Sequence, residues 1–230
     1  QLGIGYDSDE GIALLEKISK FIANHSYRAS ALLAEEKGPS PIYDYNTYSK
    51  NPFFQESLDD ETKALVKEKG LRNIAILSIA PTGTISNVVL GYTNGNNYYV
   101  GVSGGIEPIF ALYYTRRSES FGNKMFKVFH STVQAYLDKI GKLEEAKEAS
   151  NENALKSILP DHFFRTAHYV QPEKRVEIQG IAQKYIDHSI SSTVNLPESI
   201  DPETISNIYL QAWKKGLKGI LVKKSVPLKK

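Results

Sequence analysis

The residues best suited to bind a ligand are Pro81 to Ser86, which follow an apolar run. Pro81 has no backbone N–H and ends strand pairing, and Gly83 lets the backbone approach a ligand closely. A helix that begins after them would point its N–H groups and positive dipole end at an anion, above all a phosphate. We therefore predict a phosphate-binding loop that consists of Pro81, Thr82, Gly83, Thr84, Ile85 and Ser86, with hydroxyl donors from Thr82, Thr84 and Ser86.

A simpler interpretation of the same residues stays open at this point. Serine and threonine are common N-caps, so Thr82 or Thr84 could merely begin a helix. The stretch is not a Walker loop, because no lysine follows the glycine.

Other reactive side chains carry weaker signals. His162 and His168 are not spaced i,i+3 or i,i+4 and have no carboxylate cluster beside them, so we predict packing or surface histidines and no metal site. The pair Arg116-Arg117 could contact a phosphate, but we expect it to close a strand at the surface. Glu107 could be taken for a catalytic acid, and we expect it instead to orient backbone near the site.

Hydrophobic periodicity predicts the elements that position the loop. Helices are expected over 9–37, 59–69, 124–140 and 176–190, and from Pro202 after an N-cap at Asp201 to a C-cap at Gly216. Strands are expected over 72–80, 109–115 and 219–222, and we expect a hairpin with Asn94-Gly95 as its turn. Residues 38–56 should form a packed aromatic loop, and residues 142–157 a charged, solvent-facing helix. Interleaved strands and helices indicate an α/β protein.

Two of these helices have a predicted core-facing stripe. In the first helix it comprises Ile12, Leu15, Ile18, Ile22, Ala29 and Leu33. In the last helix it comprises Ile205, Ile208, Tyr209, Ala212 and Trp213.

Composition limits the function classes. The 230 residues are 41% hydrophobic and 23% charged, which is typical of a globular protein with a sizeable core. A net charge of +2 and the absence of an 18-residue apolar run favour neither a nucleic-acid nor a membrane partner, and we expect a cytoplasmic protein. The chain has no cysteine, so it supplies no disulfide and no thiolate nucleophile. It begins at Gln1 rather than at a methionine, so we expect a fragment of a longer protein.

Four stretches resemble one enzyme family in order along the chain. They are GIGYDSDEG (3–11), LRNIAILSIAPTGTIS (71–86), SGGIEPIFALYYTRR (103–117) and ISSTVNLPESIDPETISNIYLQAWKKGLKGI (190–220). They are similar to the catalytic chain of ribonucleotide reductase, in particular its adenosylcobalamin-dependent class. The resemblance implies that residues 1–230 form a single segment, the C-terminal portion of the family's ten-stranded α/β barrel. It also implies that the Pro-Thr-Gly-Thr segment holds the phosphates of a ribonucleotide substrate.

The resemblance implies a radical mechanism that this chain cannot perform alone. In the family, adenosylcobalamin generates a cysteine thiyl that takes the ribose 3′-hydrogen, and a cysteine pair supplies the electrons. Because this chain has no cysteine, we assign it no catalytic residue. Its implied partners are the missing N-terminal part of the same enzyme, a thioredoxin-type reductant and a possible second copy in a homodimer.

Two alternatives stay open beside this hypothesis. One is a non-catalytic nucleotide-binding or assembly chain, which the missing cysteines favour. The other is a remnant of the oxygen-dependent class, but its stacked tyrosines would follow the segment that matches Lys218-Gly219, where this chain has Ile220, Leu221 and Val222. Tyr113-Tyr114 lies elsewhere and supports no radical relay. A partial barrel leaves open strand edges, so we expect the isolated chain to form oligomers or to be poorly soluble.

Overall fold

The computed structural model describes residues 2–89, 92–94, 97–99, 101, 104–118 and 124–225. Its α-helices are α1 Asp9–Lys37, α2 Tyr45–Tyr48, α3 Pro52–Ser57, α4 Asp60–Lys69, α5 Gly83–Val88, α6 Ser131–Lys139, α7 Leu143–Glu148, α8 Pro172–Gln183 and α9 Pro202–Lys214. Its strands are β1 Tyr92–Asn94, β2 Asn97–Tyr99, β3 Tyr113–Ser118, β4 Lys124–Phe129, β5 Thr193–Pro197 and β6 Leu221–Ser225, and short 3-10 helices cover Glu152–Ser157 and Asp161–Phe164.

The chain divides into two compact units. The loop unit comprises Gln1–Ser8 and Pro81–Gln171, and the helix unit comprises Asp9–Ala80 and Pro172–Lys230. None of the helices in the described ranges is both long and apolar enough to cross a membrane. The prediction that residues 1–230 form a single segment of one barrel stays a prediction.

The helix unit contains a parallel β-α-β arrangement near its C-terminus, in which the strand predicted over 219–222 runs instead over Leu221–Ser225. β5 pairs in parallel with β6, from Thr193 opposite Leu221 to Pro197 opposite Ser225. Asp201 caps α9 by accepting a hydrogen bond from the Thr204 amide at 2.8 Å. Gly216 has φ +71°, and the Leu217 amide reaches back to the Ala212 carbonyl at 3.1 Å, which closes the helix in a Schellman motif.

The first helix has the predicted bounds but not the predicted buried face. α1 runs over Asp9–Lys37, with Asp9 and Glu10 in its first turn and Lys37 in its last, as the helix dipole favours. Its buried residues are Ser19, Ala23, Asn24, Tyr27, Ser30, Ala31 and Ala34. The predicted stripe was therefore wrong: Ile18, Ile22 and Leu33 are exposed. Small residues let α4 and α8 approach α1 closely, which the bulky face would prevent.

The segment before the loop, predicted as a strand over 72–80, makes one bridge only, between Ile79 and Ile190. Carbonyl oxygens of Leu77 and Ile79 accept from the amides of His188 and Ser191. The carboxylate of Asp187 accepts the Ile76 and Leu77 amides at 2.7 Å, where a second strand would otherwise pair. The Asp187 side chain thus accepts main-chain hydrogen bonds that strand pairing would otherwise satisfy.

The other predicted elements of the helix unit need smaller corrections. The 38–56 stretch is packed and aromatic as expected, but it contains α2 and α3, which Asp44 and Asn51 cap. α4 agrees with the predicted charged helix. The helix predicted over 176–190 instead runs over Pro172–Gln183. The side chain of its last residue, Gln183, donates to the carbonyls of Ile186 and His188 in the turn that follows.

The loop unit is built on two antiparallel pairs. Tyr92 pairs with Tyr99 and Asn94 with Asn97, so the predicted hairpin is present. Its predicted turn at Asn94-Gly95 was misplaced, because Asn94 belongs to β1, and Gly95 lies outside the described residues. β3 pairs with β4 from Tyr113 opposite Phe129 to Ser118 opposite Lys124.

The predicted helix over 124–140 was wrong in its first half. Residues Lys124–Phe129 form β4 because they find a partner in β3, and long-range pairing overrides local propensity. α6 begins only at Ser131, and α7 and a 3-10 helix occupy part of the predicted charged face over 142–157. Leu112, Val133, Leu137 and Leu155 form the fully buried centre of this unit.

Candidate functional site

Thr82 turns the chain into α5 with a strained backbone. Its φ of 46° and ψ of 22° are left-handed, and it is the one non-glycine residue with positive φ in the part of the chain that the structure describes. For a β-branched residue this conformation costs roughly 1–2 kcal/mol. Such strain is concentrated at ligand-binding and catalytic positions.

Thr82 occupies the N-cap position of α5, but it does not act as the simple side-chain cap that the alternative interpretation assigns to it. Thr82 precedes α5, but its side chain makes no capping hydrogen bond. Its carbonyl accepts the Ser86 amide at 2.9 Å, and the Ser86 hydroxyl donates to the Gly83 carbonyl at 3.0 Å. The Ser86 hydrogen is therefore used within the loop, and the side chain of Thr84 lies outside the described part. The donors that the geometry presents are main-chain amides of the first turn.

Gly83 faces open space. A Cβ on Gly83 would meet no atom within 4 Å, and the same is true of Gly104. Neither has a positive φ, so neither packing nor backbone conformation of this unit requires glycine there. Close approach of a ligand to the main chain is the remaining physical reason for glycine.

Both glycines line one cavity of about 970 Å³, within the loop unit. That volume lies at the upper end of the range for ligand pockets. The predicted loop contributes Pro81, Gly83 and Ser86, and the rest of the lining comes from Gly104, Glu107–Ala111, Tyr113, Tyr114, Val128–Ser131, Gln134, Ala135 and Asp138.

One face of α6 forms a wall of this cavity. Ser131, Gln134, Ala135 and Asp138 recur at i, i+3, i+4 and i+7 and all line it. His130 caps the helix: its Nδ1 accepts the Thr132 amide at 3.3 Å. Burial lowers the pKa of His130, so the ring is neutral at pH 7 and carries its hydrogen on Nε2.

The described lining contains carboxylates but no cationic side chain. Glu107 and Asp138 border the cavity, whereas no lysine or arginine is among its lining residues. The side chains of Arg116 and Arg117 lie outside the description. A phosphate here would therefore depend on main-chain N–H groups rather than on a salt bridge.

The remaining predicted residues are placed as follows. Glu107 lines the cavity, and its structural role stays a prediction. Arg116 and Arg117 lie inside β3, opposite Phe126 and Met125, rather than closing the strand, so that expectation was wrong.

The aromatic and histidine candidates make packing contacts. The rings of His162 and Phe163 lie 4.9 Å apart, and those of His168 and Phe110 meet edge-on at 4.7 Å. No group of three potential metal-ligating side chains occurs among the residues described. Tyr113 packs at 5.5 Å against the Phe129 ring.

The α6 wall was not predicted from the sequence. The helix predicted over 124–140 contains His130, Gln134 and Asp138 in its interior, so it includes no helix start at His130. The signal was present in Phe129-His130-Ser131, where an apolar residue precedes a polar cap and a helix, as in other N-termini.

Comparison with known proteins gives a consistent result. The family profile described as "Ribonucleotide reductase, barrel domain" matches residues 1–223. A vitamin B12-dependent ribonucleoside-diphosphate reductase of Mycobacterium tuberculosis is 28% identical over 96% of this chain and 28% of its own length. A ribonucleoside-diphosphate reductase subunit alpha of Chlamydia pneumoniae is 29% identical over 95% of this chain and 22% of its own.

A solved structure supports the fold. The class Id ribonucleotide reductase alpha subunit of Actinobacillus ureae superposes with a TM-score of 0.65 at 21% identity, over 97% of this chain and 36% of that one. The chain thus spans only about a quarter to a third of the proteins it matches. The α/β barrel fold and the family that the four sequence stretches predicted are confirmed. The chain belongs to the ribonucleotide reductase barrel-domain family.

Proposed function

We propose that this chain is the C-terminal barrel portion of a ribonucleotide reductase and that Pro81, Thr82, Gly83, Thr84, Ile85 and Ser86 hold the phosphates of a ribonucleotide substrate. The observation that carries the proposal is the open cavity in front of Gly83, in a chain whose residues 1–223 match the family. The strain at Thr82 supports it, because an unfavourable backbone conformation of this kind is concentrated at ligand-binding positions.

The phosphate would be bound by main-chain donors. α5 has six residues, so the direct N–H hydrogen bonds of its first turn matter more than its dipole. The missing Cβ of Gly83 allows a phosphate oxygen to come within hydrogen-bond distance of the backbone. Since Ser86 already donates within the loop, a phosphate oxygen would compete with the Gly83 carbonyl for its hydroxyl hydrogen.

The radical and redox steps would be supplied by groups outside this chain. It contains no cysteine, so neither a thiyl radical nor a redox disulfide can form on it. We therefore propose a partner polypeptide segment that carries the catalytic cysteines, and a thioredoxin-type reductant for the complete enzyme. A cytoplasmic location and a homodimer belong to the same proposal.

The described residues do not by themselves fit adenosylcobalamin. The cavity beside the loop has a volume suited to a ligand of drug size, and cobalamin is considerably larger. The described part of the chain also holds no group of three potential metal ligands. We assign the cofactor to the complete enzyme, because relatives of this chain are named vitamin B12-dependent. The phosphate binding that we propose for this chain does not involve the cofactor.

A non-catalytic nucleotide-binding chain is the second candidate. The observation that favours it is the absence of cysteine. An oxygen-dependent enzyme is the third, since the Chlamydia pneumoniae relative is named a ribonucleoside-diphosphate reductase subunit alpha. Both alternatives keep the phosphate loop and differ in the chemistry around it.

The test of the loop is Gly83→Val. The new side chain enters open space, so the fold is retained, but it blocks the approach to the backbone. We expect the affinity for cytidine diphosphate, measured by titration calorimetry, to fall at least about tenfold, a loss of about 1.4 kcal/mol.

Gly219→Val is the matched control. Gly219 also faces open space but lies in the helix unit, so its substitution should leave the affinity unchanged. Equal affinities in wild type and Gly83→Val would contradict the phosphate loop. Binding without turnover after addition of every cysteine-bearing complement from a related reductase would favour the non-catalytic alternative.

A further inference from the structure

A segment without regular structure borders the cavity opposite in sequence to the phosphate loop, over residues 104–110, and we call it the rim. All of its residues are described, and none of them belongs to a helix or a strand. The rim residues that line the cavity are Gly104, Glu107, Pro108, Ile109 and Phe110. Since no ladder of backbone hydrogen bonds fixes the rim, its position depends on contacts with other parts of the loop unit.

Tyr6 holds the first half of the rim. Its hydroxyl donates to the Ile106 carbonyl at 2.6 Å, across 100 residues of sequence, and Ile106 is only 8% exposed. Tyr6 lies in a turn in which Ser8 donates twice to the Gly5 carbonyl, from its amide at 3.2 Å and from its hydroxyl at 2.7 Å. The closed turn restricts the tyrosine, so its hydrogen bond fixes the Ile106 carbonyl.

Residues 165–168 hold the second half of the rim. The Ala167 amide donates to the Ile109 carbonyl at 2.8 Å. The ring of His168 meets the ring of Phe110 edge-on at 4.7 Å. These two contacts fix both the main chain at Ile109 and the ring of Phe110, which is 56% exposed and lines the cavity.

Arg165 joins the two anchors of the rim. Its Nε lies 3.5 Å from Oδ1 of Asp7, the residue after Tyr6, and its guanidinium lies over the Tyr169 ring at 4.6 Å. The side chains of Arg165 and Asp7 are 25% and 21% exposed, so water screens this ion pair less than a pair on the open surface. Arg165 therefore links the turn at Tyr6 to the segment that contains Ala167.

The chemistry of the rim suits the nucleoside part of a nucleotide better than its phosphates. Phe110 offers an aromatic ring on which a base can stack. The carboxylate of Glu107 repels phosphate, but it accepts hydrogen bonds from hydroxyl and amino groups. With the phosphates at residues 81–86, the two borders of the cavity would divide the ligand between them.

We propose that Tyr6 and Arg165 are positioning residues, which hold the rim where the nucleoside part of the substrate lies. This role rests on the proposed function, because it requires a nucleotide in the cavity. Neither Tyr6 nor Arg165 is among the described residues that line the cavity. Each therefore acts through the main chain of the rim and not by contact with the ligand.

Tyr6→Phe tests this role, because it removes one hydroxyl group and keeps the ring. In titration calorimetry, the dissociation constant for cytidine diphosphate should rise about fivefold, and that for pyrophosphate should change less than about twofold. A loss of folded structure would weaken both ligands to the same extent, since both require the folded loop unit. Arg165→Met should produce the same selective loss for cytidine diphosphate.

Tyr43→Phe is the matched control. The Tyr43 hydroxyl also donates to a main-chain carbonyl, that of Val66 at 3.1 Å, but it lies in the helix unit. Its removal is the same chemical change, and it should leave both dissociation constants unchanged.

Hydrogen exchange measures the position of the rim without a ligand. In Tyr6→Phe, the amides of residues 104–110 should exchange at least about threefold faster than in the wild type. The amides of residues 83–88, in α5, should exchange at the same rate in both proteins. Tyr43→Phe should leave the exchange of both segments unchanged.

Three results would overturn the positioning role of Tyr6. They are an unchanged affinity of Tyr6→Phe for cytidine diphosphate, equal losses for cytidine diphosphate and pyrophosphate, and unchanged exchange of the rim amides. The phosphate loop fails separately, because it requires Gly83→Val to weaken pyrophosphate as well as cytidine diphosphate. A wild type that binds neither ligand would contradict both proposals.

Discussion

At the scale of single residues, Thr82 links local strain to the proposed function. The left-handed conformation of Thr82 is unfavourable for a β-branched residue, and no capping hydrogen bond from its side chain to α5 offsets this cost. Local energetics therefore favour glycine at this position. A threonine at a position that would be more stable with glycine is consistent with a loop whose conformation serves ligand binding rather than stability.

Replacing Thr82 separates strain from the hydroxyl. Thr82→Gly and Thr82→Ala both remove the hydroxyl, but only glycine relieves the positive φ. We expect the free energy of unfolding in urea to be about 1 kcal/mol higher for Thr82→Gly than for Thr82→Ala. Equal stabilities would mean that the turn at Thr82 relaxes without cost.

At the scale of elements, Asp59 connects α4 to α1. Its carboxylate caps α4 by accepting the Thr62 amide at 2.8 Å, and it accepts a second bond from Arg28 of α1 at 2.8 Å. Burial opposes its ionisation, but the hydrogen bonds from Thr62 and Arg28 outweigh burial and lower the pKa of Asp59 to about 2.

The depressed pKa makes this helix contact sensitive to acid. An unfolded aspartate titrates near 4, so the stabilisation is complete above about pH 5 and is lost as the pH falls towards 2. The side chain is 38% exposed, and solvent screening limits the effect to about 1 kcal/mol.

Asp59→Asn isolates that effect, because asparagine still caps the helix but does not titrate here. Between pH 6 and pH 2, the free energy of unfolding should fall by about 1 kcal/mol more in wild type than in Asp59→Asn. Parallel pH profiles of the two proteins would contradict this role of Asp59.

At the scale of the whole molecule, Asp187 joins the two stretches of the helix unit. Its carboxylate accepts the Tyr27 hydroxyl and the Ile76 and Leu77 amides, all at 2.7 Å. Tyr27 is fully buried, and burial raises its pKa above the ordinary value, so it stays a neutral donor. Residues 27, 76–77 and 187 are remote in sequence, so these bonds form only in the complete unit.

Removing this carboxylate leaves three donors without their acceptor. We expect Asp187→Ala to lower the free energy of unfolding by about 3 kcal/mol and Asp187→Asn by less, because asparagine keeps one oxygen. Glu198→Ala is the control, since Glu198 is exposed in the same unit, and it should change stability by less than about 0.5 kcal/mol. A loss below about 1 kcal/mol for Asp187→Ala would contradict the proposed linkage.

Local sequence signals predict the bounds of an element correctly where capping residues mark both of its ends. α1 begins at Asp9 and ends before Gly38, and α9 has Asp201, Pro202 and Gly216 at the expected positions. Lys124–Phe129 has no such boundary, and it forms a strand only because it pairs with β3, so no local pattern predicts it. The polar residue His130 before α6 was a signal in the sequence, but the α6 wall of the cavity exists only because β4 ends at Phe129.

The order of residues is enough to predict the family, the α/β class and the position of the Pro-Thr-Gly-Thr loop, because these depend on sequence motifs and short-range geometry. It also excluded cysteine chemistry on this chain. Three features required the folded chain: the buried face of α1, the hydrogen bonds that Asp187 accepts from Ile76 and Leu77, and the cavity that Gly83 and Gly104 border. Each of these depends on close approach between segments far apart in the chain, which no local pattern encodes.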